Sequence, residues 1–469
     1  MKVRSSRCAV PGPHGGQVAT VLASLARDPL GGYVRLAARY GDTVRFPYSP
    51  GSGFYLLSRP EHAEHVLAAN QDNYVKAFTY RPLRALIGDG LLTSEGDRWR
   101  QHRRLIQPLF SRRHVTTFAP AMTDAARRLT ARWDKIPDGT VINIAAQMSA
   151  VALDIVGRAL FGSDLSGDAG PMGRAMDAGQ RVAMLATFVP LPWGPRSARA
   201  LKAVARRVGH TPEGIEGPVG RIVSGRRAAA RDAGSHAGDA SAGDLLDVLL
   251  AARAPDGSPL TDTEICDEVA TFMLAGHETT ANTMSWALAL LSAYPSARHR
   301  LEAEVDSVLG DRGPEASDAD KLPWTRAVVA EAMRLYPPAW TIERNALADD
   351  EVAGTVVPAG SLVAIPPYLI HRHPEFWPDP AGFDPRRFLA DGAEPGGGHP
   401  RHRYSYIPFG GGRRACVGTS FAELETVLVL AAIAREYRLE LTVRGIPAPS
   451  ANITLRPGRG LPMRLLRRS

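Results

Sequence analysis

The amino-acid sequence predicts a mainly helical protein with small β-sheets, formed as a single large domain around a long central helix. The first observation is the segment 261–293, where apolar residues occupy most faces of a helix, a pattern typical of a helix buried in a core. The second is a nearly continuous helical pattern from residue 98 to about residue 310. The third is a change to short strands and turns after residue 340.

The length of 469 residues would allow two or three average domains. One large domain is favoured because the other predicted helices are expected to pack around a single buried helix. We expect residues 29–469 to form this domain and residues 1–28 to form a flexible N-terminal segment. Hydrophobic residues make up 44% of the sequence and charged residues 22%. These values are ordinary for globular proteins, so a chain that is disordered throughout is excluded.

Local signals predict where the central helix begins and ends. Thr261 and Glu264 have the spacing of a capping box at its start. Pro295 ends it, because the residue before a proline is pushed out of helical geometry. The other expected elements are strands at 42–46 and 53–57 with a turn at 47–52 between them, a helix at 60–69, and a helix at about 418–437.

Charge and cysteine content limit the classes of partner. The net charge is +8, but no long basic run or nucleic-acid-binding motif accompanies it, so a nucleic-acid partner is not expected. Cys8, Cys266 and Cys416 cannot form a disulfide framework and include no CxxC pair. No apolar run approaches the ~18 residues of a membrane helix. We therefore expect a cytoplasmic monomer without a membrane span.

The segment FGGGRRACVG, residues 409–418, carries the strongest chemical signal. Glycines let the backbone approach a flat cofactor, and a helix N-terminus after Cys416 would stabilise a thiolate. One alternative is an inert buried cysteine. Another is a dinucleotide fingerprint, which would need a preceding strand in a βαβ unit. The segment favours Cys416 as the thiolate ligand of a haem iron.

With this segment the sequence resembles the cytochrome P450 family. The family's haem-loop pattern, FGxGxRxCxG, is matched at every specified position, and the other motifs follow in the family's order from about residue 29 onward. The resemblance implies a cytochrome P450-like domain with haem b (iron protoporphyrin IX) buried between the central helix and the cysteine loop. It makes Cys416 the iron ligand and assigns Phe409, Gly410 and Gly418 to cofactor binding.

The sequence AGHETT, residues 275–280, lies in the middle of the central helix. Glycine costs about 1 kcal/mol inside a helix and needs a reason there. By resemblance, Ala275 and Gly276 would leave space for dioxygen over the iron, and Glu278 and Thr279 would relay protons to it. The alternative is a kinked helix with polar residues on a wet face. A zinc motif HExxH is excluded because residue 281 is alanine.

Three charged residues are expected to form a structural network. Glu331 and Arg334 are three residues apart, so they lie on one helix face and can pair. Such a pair alone is not specific. It gains weight from the segment 383–388, which resembles the family's proline- and arginine-containing loop. The resemblance implies that Arg387 joins the pair in a buried network that supports the haem loop.

Four residues are expected at the haem propionates. Trp99 and Arg103 are four residues apart, which places both on one face of a helix, and they resemble the family's WxxxR element. By the same resemblance Arg344 would bind the other propionate, with help from Arg414. Carboxylates that face several arginines form strong, charge-assisted hydrogen bonds.

By resemblance, several mostly apolar segments would line the substrate pocket. An apolar pocket with few polar groups suits a lipophilic substrate, although core packing would produce the same composition. The residues assigned to the pocket are Phe78, Phe272, Trp340, Ile342, Ile453 and Thr454.

The sequence thus predicts a monooxygenase of secondary metabolism that uses O2 to oxidise a lipophilic terpenoid, fatty acyl or polyketide-like molecule. The sequence shows no flavin or iron–sulfur domain, so two electrons must come from a separate donor. The resemblance implies a ferredoxin with its reductase, and the basic clusters near Cys416 and at Arg112 and Arg113 could form the docking surface for such an acidic partner. Two alternatives remain open: a peroxide-driven peroxygenase and a non-catalytic haem-binding sensor.

Overall fold

The computed structural model describes residues 10–49, 51–165, 167, 169–187, 195–207, 216–232, 243–254, 256–390, 402–458 and 460–468. The chain divides into two compact units. The first unit comprises Met1–Thr79, Ala339–Ala381 and Arg401–Cys416, and the second comprises Tyr80–Pro338, Gly382–Pro400 and Val417–Ser469. The boundary expected between residues 1–28 and 29–469 stays a prediction.

Most of the described chain is helical, which confirms the predicted fold class. The α-helices are α1 (Gly16–Arg27), α2 (Pro29–Tyr40), α3 (Pro60–Glu64), α4 (Arg81–Ile87), α5 (Gly96–Ile106), α6 (Arg112–Val115), α7 (Ala119–Trp133), α8 (Ile144–Phe161), α9 (Ala169–Thr187), α10 (Pro195–Arg207), α11 (Glu216–Asp232), α12 (Leu245–Ala251), α13 (Asp262–Ala293), α14 (Pro295–Leu309), α15 (Pro323–Leu335), α16 (Pro367–Ile370) and α17 (Thr419–Glu436).

The strands are short and belong to small sheets. They are β1 (Thr43–Ser49), β2 (Ser52–Leu57), β3 (Tyr74–Lys76), β4 (Val141–Asn143), β5 (Ile342–Ala346), β6 (Asp350–Val352), β7 (Thr355–Val357), β8 (Leu362–Ile365), β9 (Tyr437–Leu441), β10 (Pro449–Ala451), β11 (Leu455–Pro457) and β12 (Pro462–Arg467).

The first unit is built on a five-stranded sheet in the order β1-β2-β8-β5-β3. Strands β2 and β8 are parallel, and the other neighbours in this sheet are antiparallel. Strand β5 alternates buried and partly accessible residues, so its two faces meet different surroundings. Its buried face includes Ile342 and Ala346, which belong to the apolar core of this unit.

Two expectations for the first unit need correction. The turn expected at 47–52 is too long, because β1 continues to Ser49 and Pro47 pairs with Gly53 across a bulge. Proline is tolerated there because β1 is an edge strand. The helix expected at 60–69 has two parts, α3 and then a π-helix at His65–Ala69.

The second unit contains the central helix α13, which has 32 residues. The predicted capping box is present, since the side chains of Thr261 and Glu264 each accept a hydrogen bond from the other residue's backbone N–H. The helix ends at Ala293, directly before the Tyr294-Pro295 step. Helix α8 packs along it. The last helix, α17, begins and ends within one residue of the range expected from the sequence.

Within the described ranges, one helix is long and apolar enough to cross a membrane by length and composition. This helix is α8, with a mean hydropathy of 1.4 over its 18 residues. However, 67% of it is buried inside the protein, and it carries an ion pair between Asp154 and Arg158 with an O–N distance of 2.7 Å. Core helices of soluble proteins pass the same test, so α8 is weak evidence for a membrane span.

Candidate active site

The cysteine loop forms an accessible surface on the first unit. Every residue from 409 to 416 keeps part of its surface accessible, and Cys416 itself is exposed. The backbone N–H of Cys416 donates a hydrogen bond to the carbonyl oxygen of Phe409 over 2.8 Å. Gly410 and Gly412 have φ angles of 73° and 64°, which residues with a side chain rarely adopt. The glycines therefore allow the tight turn that presents the thiol.

Close packing against the backbone at Leu67 also requires glycine at position 412. A Cβ atom there would lie 1.8 Å from the carbonyl oxygen of Leu67. The next residue, Arg413, donates its backbone N–H to the side chain of Gln71 over 2.8 Å and pairs with Asp72. The sequence predicted a close approach to a cofactor, but it did not indicate this close approach to the π-helix.

The first unit also places one residue assigned to the substrate pocket, Ile342, and one assigned to a haem propionate, Arg344, on the same strand. Ile342 and Arg344 share the buried face of β5, and Ile342 lies 3.7 Å from where a Cβ on Gly410 would be. The guanidinium of Arg344 donates to the carbonyl oxygen of Glu343 over 2.9 Å and is largely buried. An accessible thiol and a glycine loop, with an arginine on β5 of the same unit, fit a flat apolar group that carries carboxylates.

The buried stretch 268–291 of the central helix has one accessible window. From residue 268 to 291, the only residues that keep accessible surface are Ala275, Gly276, Glu278 and Thr279. Residues with spacings of three and four lie on one face of a helix. These four residues are those that the sequence assigned to oxygen activation. We call them the α13 window.

The carboxyl group of Glu278 is held by side chains from two other segments of the second unit. Gln180 of α9 donates a hydrogen bond to Glu278 Oε2, and Thr454 donates to Oε1 over 2.5 Å. Asn282 donates to the hydroxyl of Thr454 over 3.2 Å. Thr454 was assigned to the substrate pocket from the sequence. Gln180 and Asn282 were missed, because nothing in a single sequence pairs residues so far apart.

Two threonine hydroxyl groups, one in the window and one next to it, form hydrogen bonds with backbone carbonyl groups of α13. Thr279 Oγ1 donates to the carbonyl oxygen of Ala275 over 2.7 Å, and Thr280 Oγ1 lies 3.0 Å from that of Gly276. Such bonds compete with the helix ladder and tend to bend a helix. A Cβ on Gly276 would lie 3.1 Å from Val156 of α8. The glycine therefore also permits close helix packing, a reason that the sequence did not indicate.

A buried acid of α17 contacts α13 next to the window, and it was not predicted from the sequence. Glu425 of α17 is fully buried, and its Oε1 accepts a hydrogen bond from Thr280 over 3.2 Å. Among the residues that the structure describes, its Oε2 has no hydrogen-bond partner. Burial raises the pKa of Glu425 well above its ordinary value, and the bond from Thr280 offsets only part of the rise. A neutral carboxyl group is therefore favoured there.

Helix α5 carries Trp99 and Arg103 in the second unit. Trp99 is buried, while Arg103 is partly accessible and donates to Gln107 over 3.1 Å. Between them, buried His102 lies 2.5 Å from Glu268 of the central helix. This contact ties α5 to α13 and thus orients the helix that bears the predicted propionate ligands. The contact of His102 was not predicted from the sequence.

The structure brings the three predicted network residues together in the second unit. Glu331 and Arg334 are fully buried and form two hydrogen bonds of 2.7 and 2.8 Å. Arg387 lies 3.4 Å from Glu331, which also accepts the backbone N–H of Asp384. Burial raises the pKa of Glu331, and the two guanidinium groups act against that rise.

The residues assigned to the substrate pocket fall in both units. In the second unit, Phe272 stacks on Phe110 with ring centroids 5.4 Å apart, and Thr454 contacts Glu278. In the first unit, Trp340 packs on Tyr33 at 5.4 Å. The remaining residues assigned to the pocket are Phe78, Ile342 and Ile453; Phe78 and Ile453 are partly accessible and Ile342 is buried.

Comparison with known proteins gives a match over nearly the whole chain. The family model for cytochrome P450 matches residues 11–461. Cytochrome P450 132 of Mycobacterium tuberculosis is 35% identical, covering 90% of this chain and 90% of its own. Cyclooctat-9-en-7-ol 5-monooxygenase of Streptomyces melanosporofaciens is 34% identical, covering 89% and 86%. Pentalenene oxygenase of Streptomyces avermitilis is 32% identical, covering 95% and 94%.

Proposed function

Because the chain belongs to the cytochrome P450 family and is therefore a haem-dependent monooxygenase, we propose that it inserts one oxygen atom from O2 into a terpenoid. Two of the similar proteins are named as oxygenases of terpenoids, pentalenene and cyclooctat-9-en-7-ol. The second of these substrates is already an alcohol. This similarity favours a terpenoid over the fatty acyl and polyketide-like alternatives.

The observation that carries this proposal is the α13 window. It sets an acid and a hydroxyl group in the otherwise buried stretch 268–291 of that helix, where most of the neighbouring residues are apolar. When bound, the haem supplies the activation of dioxygen, and a thiolate ligand favours cleavage of the O–O bond. This cleavage consumes protons, so a proton source inside an apolar wall is needed.

In this proposal Glu278 supplies the proton and Thr279 directs it. The two neutral donors on Glu278, Gln180 and Thr454, hold its carboxyl group in one orientation. Thr279 donates its hydroxyl hydrogen to the carbonyl oxygen of Ala275, so the lone pairs of its oxygen can accept a hydrogen bond, and the hydroxyl would turn away from that carbonyl to pass a proton on. The chain's own residues thus orient and deliver the proton.

We propose that the residues assigned to cofactor binding from the sequence hold the haem. Cys416 is the proposed iron ligand, and its exposed position at the end of the glycine loop supports this role. Arg344, Arg414, Arg103 and Trp99 are the proposed propionate partners. Phe409, Gly410 and Gly418 form the loop around the cysteine. The charge network of Glu331, Arg334 and Arg387 is proposed to support that loop without contact to the reacting atoms.

We propose that a ferredoxin donates the electrons and that a ferredoxin reductase reduces this ferredoxin. Arg112 and Arg113 of α6 are both exposed and suit an acidic partner, because complementary charge raises the rate of association. Exchange of both arginines for glutamate should slow ferredoxin-driven turnover several-fold at low salt and have little effect at high salt. Unchanged turnover at low salt would remove these residues from the docking surface. Cytoplasmic location and a monomeric state stay predictions.

A reconstituted reaction tests the proposed function. Purified haem-containing protein, a surrogate ferredoxin with its reductase, NADPH and isotopically labelled O2 are incubated with a panel of terpenes and fatty acids. The expected product is a terpenoid that carries one labelled oxygen atom. Labelled fatty acid products alone would contradict the substrate class. Equal turnover with peroxide and no reductase would favour a peroxygenase, and binding without any product would favour a sensor.

A further inference from the structure

A histidine in the core of the first unit contacts the chain just before the cysteine loop. His371 directly follows helix α16 and is fully buried. The backbone N–H of Ile407 donates a hydrogen bond to its Nε2 over 2.8 Å. A buried polar side chain is costly unless it forms hydrogen bonds, so a histidine at this position needs a reason. The proposed function gives it no role.

The direction of this hydrogen bond sets the protonation of the ring nitrogen. A backbone N–H can only donate, so Nε2 of His371 must be the acceptor and carries no proton. Ile407 in turn needs this acceptor, because a buried N–H without a partner is costly. The next residue, Pro408, has no N–H. Ile407 therefore carries the last backbone donor before Phe409, where the cysteine loop begins.

A second buried side chain holds the residues next to this contact. The indole N–H of Trp377 donates to the carbonyl oxygen of Ser405 over 3.2 Å, and Trp377 is fully buried. The ring of Tyr406 packs against both side chains, with its centroid 5.2 Å from that of His371 and 6.2 Å from that of Trp377. Two buried side chains thus fix three consecutive residues, 405–407, and we call these contacts the 405–407 clamp.

Backbone hydrogen bonds connect the clamp to the cysteine. The carbonyl oxygen of Ile407 accepts the N–H of Gly410 over 3.0 Å. Two residues after Ile407, the carbonyl oxygen of Phe409 accepts the N–H of Cys416 over 2.8 Å. The turn that presents the thiol is therefore built directly on the residue that His371 holds. A shift of Ile407 would move this turn and the sulfur with it.

We propose that His371 is a positioning residue for the iron ligand and that it acts through the backbone of Ile407. Its unprotonated nitrogen fixes where the cysteine loop begins, so the sulfur of Cys416 stays where it can bind iron as a thiolate. The inference rests on the proposed function, in its assignment of Cys416, and adds a residue to it. Packing alone would not require a nitrogen here, because an apolar ring of similar size could fill the same core.

Two substitutions at residue 371 separate the acceptor from the ring. His371→Phe keeps an aromatic ring but removes the acceptor, whereas His371→Gln loses the ring but places an amide oxygen near the position of Nε2. The haem-containing variants are titrated with urea, reduced and bound to carbon monoxide. The ratio of the strongly shifted Soret band to the unshifted band reports thiolate ligation, and far-ultraviolet circular dichroism of the same samples reports folding.

His371→Phe should lose the shifted band at urea concentrations that leave its helices folded. At such a concentration, the ratio of shifted to unshifted band should be at least about fivefold below that of the unsubstituted protein, because one buried N–H then lacks an acceptor. His371→Gln should retain most of the ratio. Equal ratios in the two variants, or a lower ratio in His371→Gln, would overturn the proposal, since the nitrogen would then have no role beyond packing.

His373→Phe is the matched control, because it makes the same exchange two residues along. His373 is partly accessible and pairs with Asp42 over 3.2 Å. The control should keep the band ratio of the unsubstituted protein, and a loss as large as that in His371→Phe would overturn the proposal.

Hydrogen exchange keeps the proposal testable if neither variant at residue 371 folds. In the unsubstituted protein, the N–H of Ile407 should exchange slowly, as a buried and hydrogen-bonded group does. Exchange as fast as that of an unstructured peptide would mean that His371 does not hold Ile407, and the proposal would fail.

The unsubstituted protein also separates this proposal from the proposed function. If it shows no shifted band even without urea, the assignment of Cys416 fails and the proposed function fails with it. A normal band in the unsubstituted protein that responds equally to His371→Phe and His371→Gln would overturn the positioning role alone.

Discussion

Two glutamates of the second unit, Glu331 and Glu278, differ in the charge of their partners. Glu331 is fully buried against two guanidinium groups and a backbone N–H. The described partners of Glu278 are a neutral amide and a neutral hydroxyl, in a window that stays accessible. An acid bound to fixed positive charges serves the fold, whereas an acid held by neutral donors can exchange a proton. The partners of a carboxyl group therefore indicate its role better than its burial does.

The largest expected effect is a loss of stability when Glu331, the acid paired with two arginines, is replaced. Glu331→Gln removes the negative charge between Arg334 and Arg387 and leaves buried positive charge, which typically costs about 3–5 kcal/mol. We expect little folded, haem-containing protein, measured by yield and by chemical denaturation. Asp124→Asn, in an exposed pair with Arg127, is the control and should change stability by less than about 1 kcal/mol. Equal losses of stability in the two variants would mean that the buried charge network contributes no more to the fold than an exposed ion pair.

The next largest effect is a loss of turnover without a loss of stability, when Glu278 of the α13 window is replaced. Glu278→Gln keeps the size of the side chain but cannot supply a proton, so product formation should fall by about 100-fold or more. The melting temperature should stay within a few degrees of the unsubstituted protein. Turnover is measured with the reconstituted reductase system and stability by thermal denaturation. A variant with full activity would assign the proton to another group.

A smaller effect concerns Glu425, whose burial without an ion pair raises its pKa. The folded protein then holds a proton that the unfolded chain releases above about pH 4.5. Stability should therefore fall as the pH rises above that value, by up to about 1.4 kcal/mol per pH unit for this group.

Glu425→Gln should show a shallower loss of stability between pH 5 and pH 7 than the unsubstituted protein. Urea denaturation at several pH values gives the slope for both. Identical slopes would mean that Glu425 is ionised in the folded state, and the raised pKa would be wrong.

The smallest effect tests the groups that hold Glu278. Thr454→Val removes the hydroxyl that donates to Glu278 with little change in shape, and we expect turnover to fall up to about tenfold, the effect of one hydrogen bond. Thr454→Ser restores the hydroxyl and should restore the rate. The solvent isotope effect on turnover should rise in the valine variant, because proton delivery then limits the reaction. If serine and valine behave alike, Thr454 acts through packing.

The elements with local signals were predicted well from the sequence. The central helix begins at its capping box and ends at a proline, and both signals are a few residues long. The cysteine loop was found because a glycine turn before a lone cysteine is a dense local pattern. The turn predicted from Pro47 is too long, since a proline can lie on an edge strand and the order of strands in a sheet cannot be read from one strand.

The contacts that complete the site could not be predicted, because they join residues far apart in the chain. His102 meets Glu268, and Gln180 meets Glu278, over separations of 166 and 98 residues. Gly276 was assigned to oxygen binding alone, while its contact with Val156 depends on how two helices pack. Hydrophobic periodicity predicts which face of a helix is buried, but it does not name the residues on the facing helix.

The carbon monoxide spectrum of the reduced protein tests the central claim, that Cys416 binds the haem iron through its sulfur. The unsubstituted protein should show the strongly shifted Soret band of a thiolate-ligated haem. Cys416→Ser should lose that band, while Cys266→Ser, a change at the other described cysteine, should keep it. A Cys416→Ser variant with an unchanged spectrum would contradict the account.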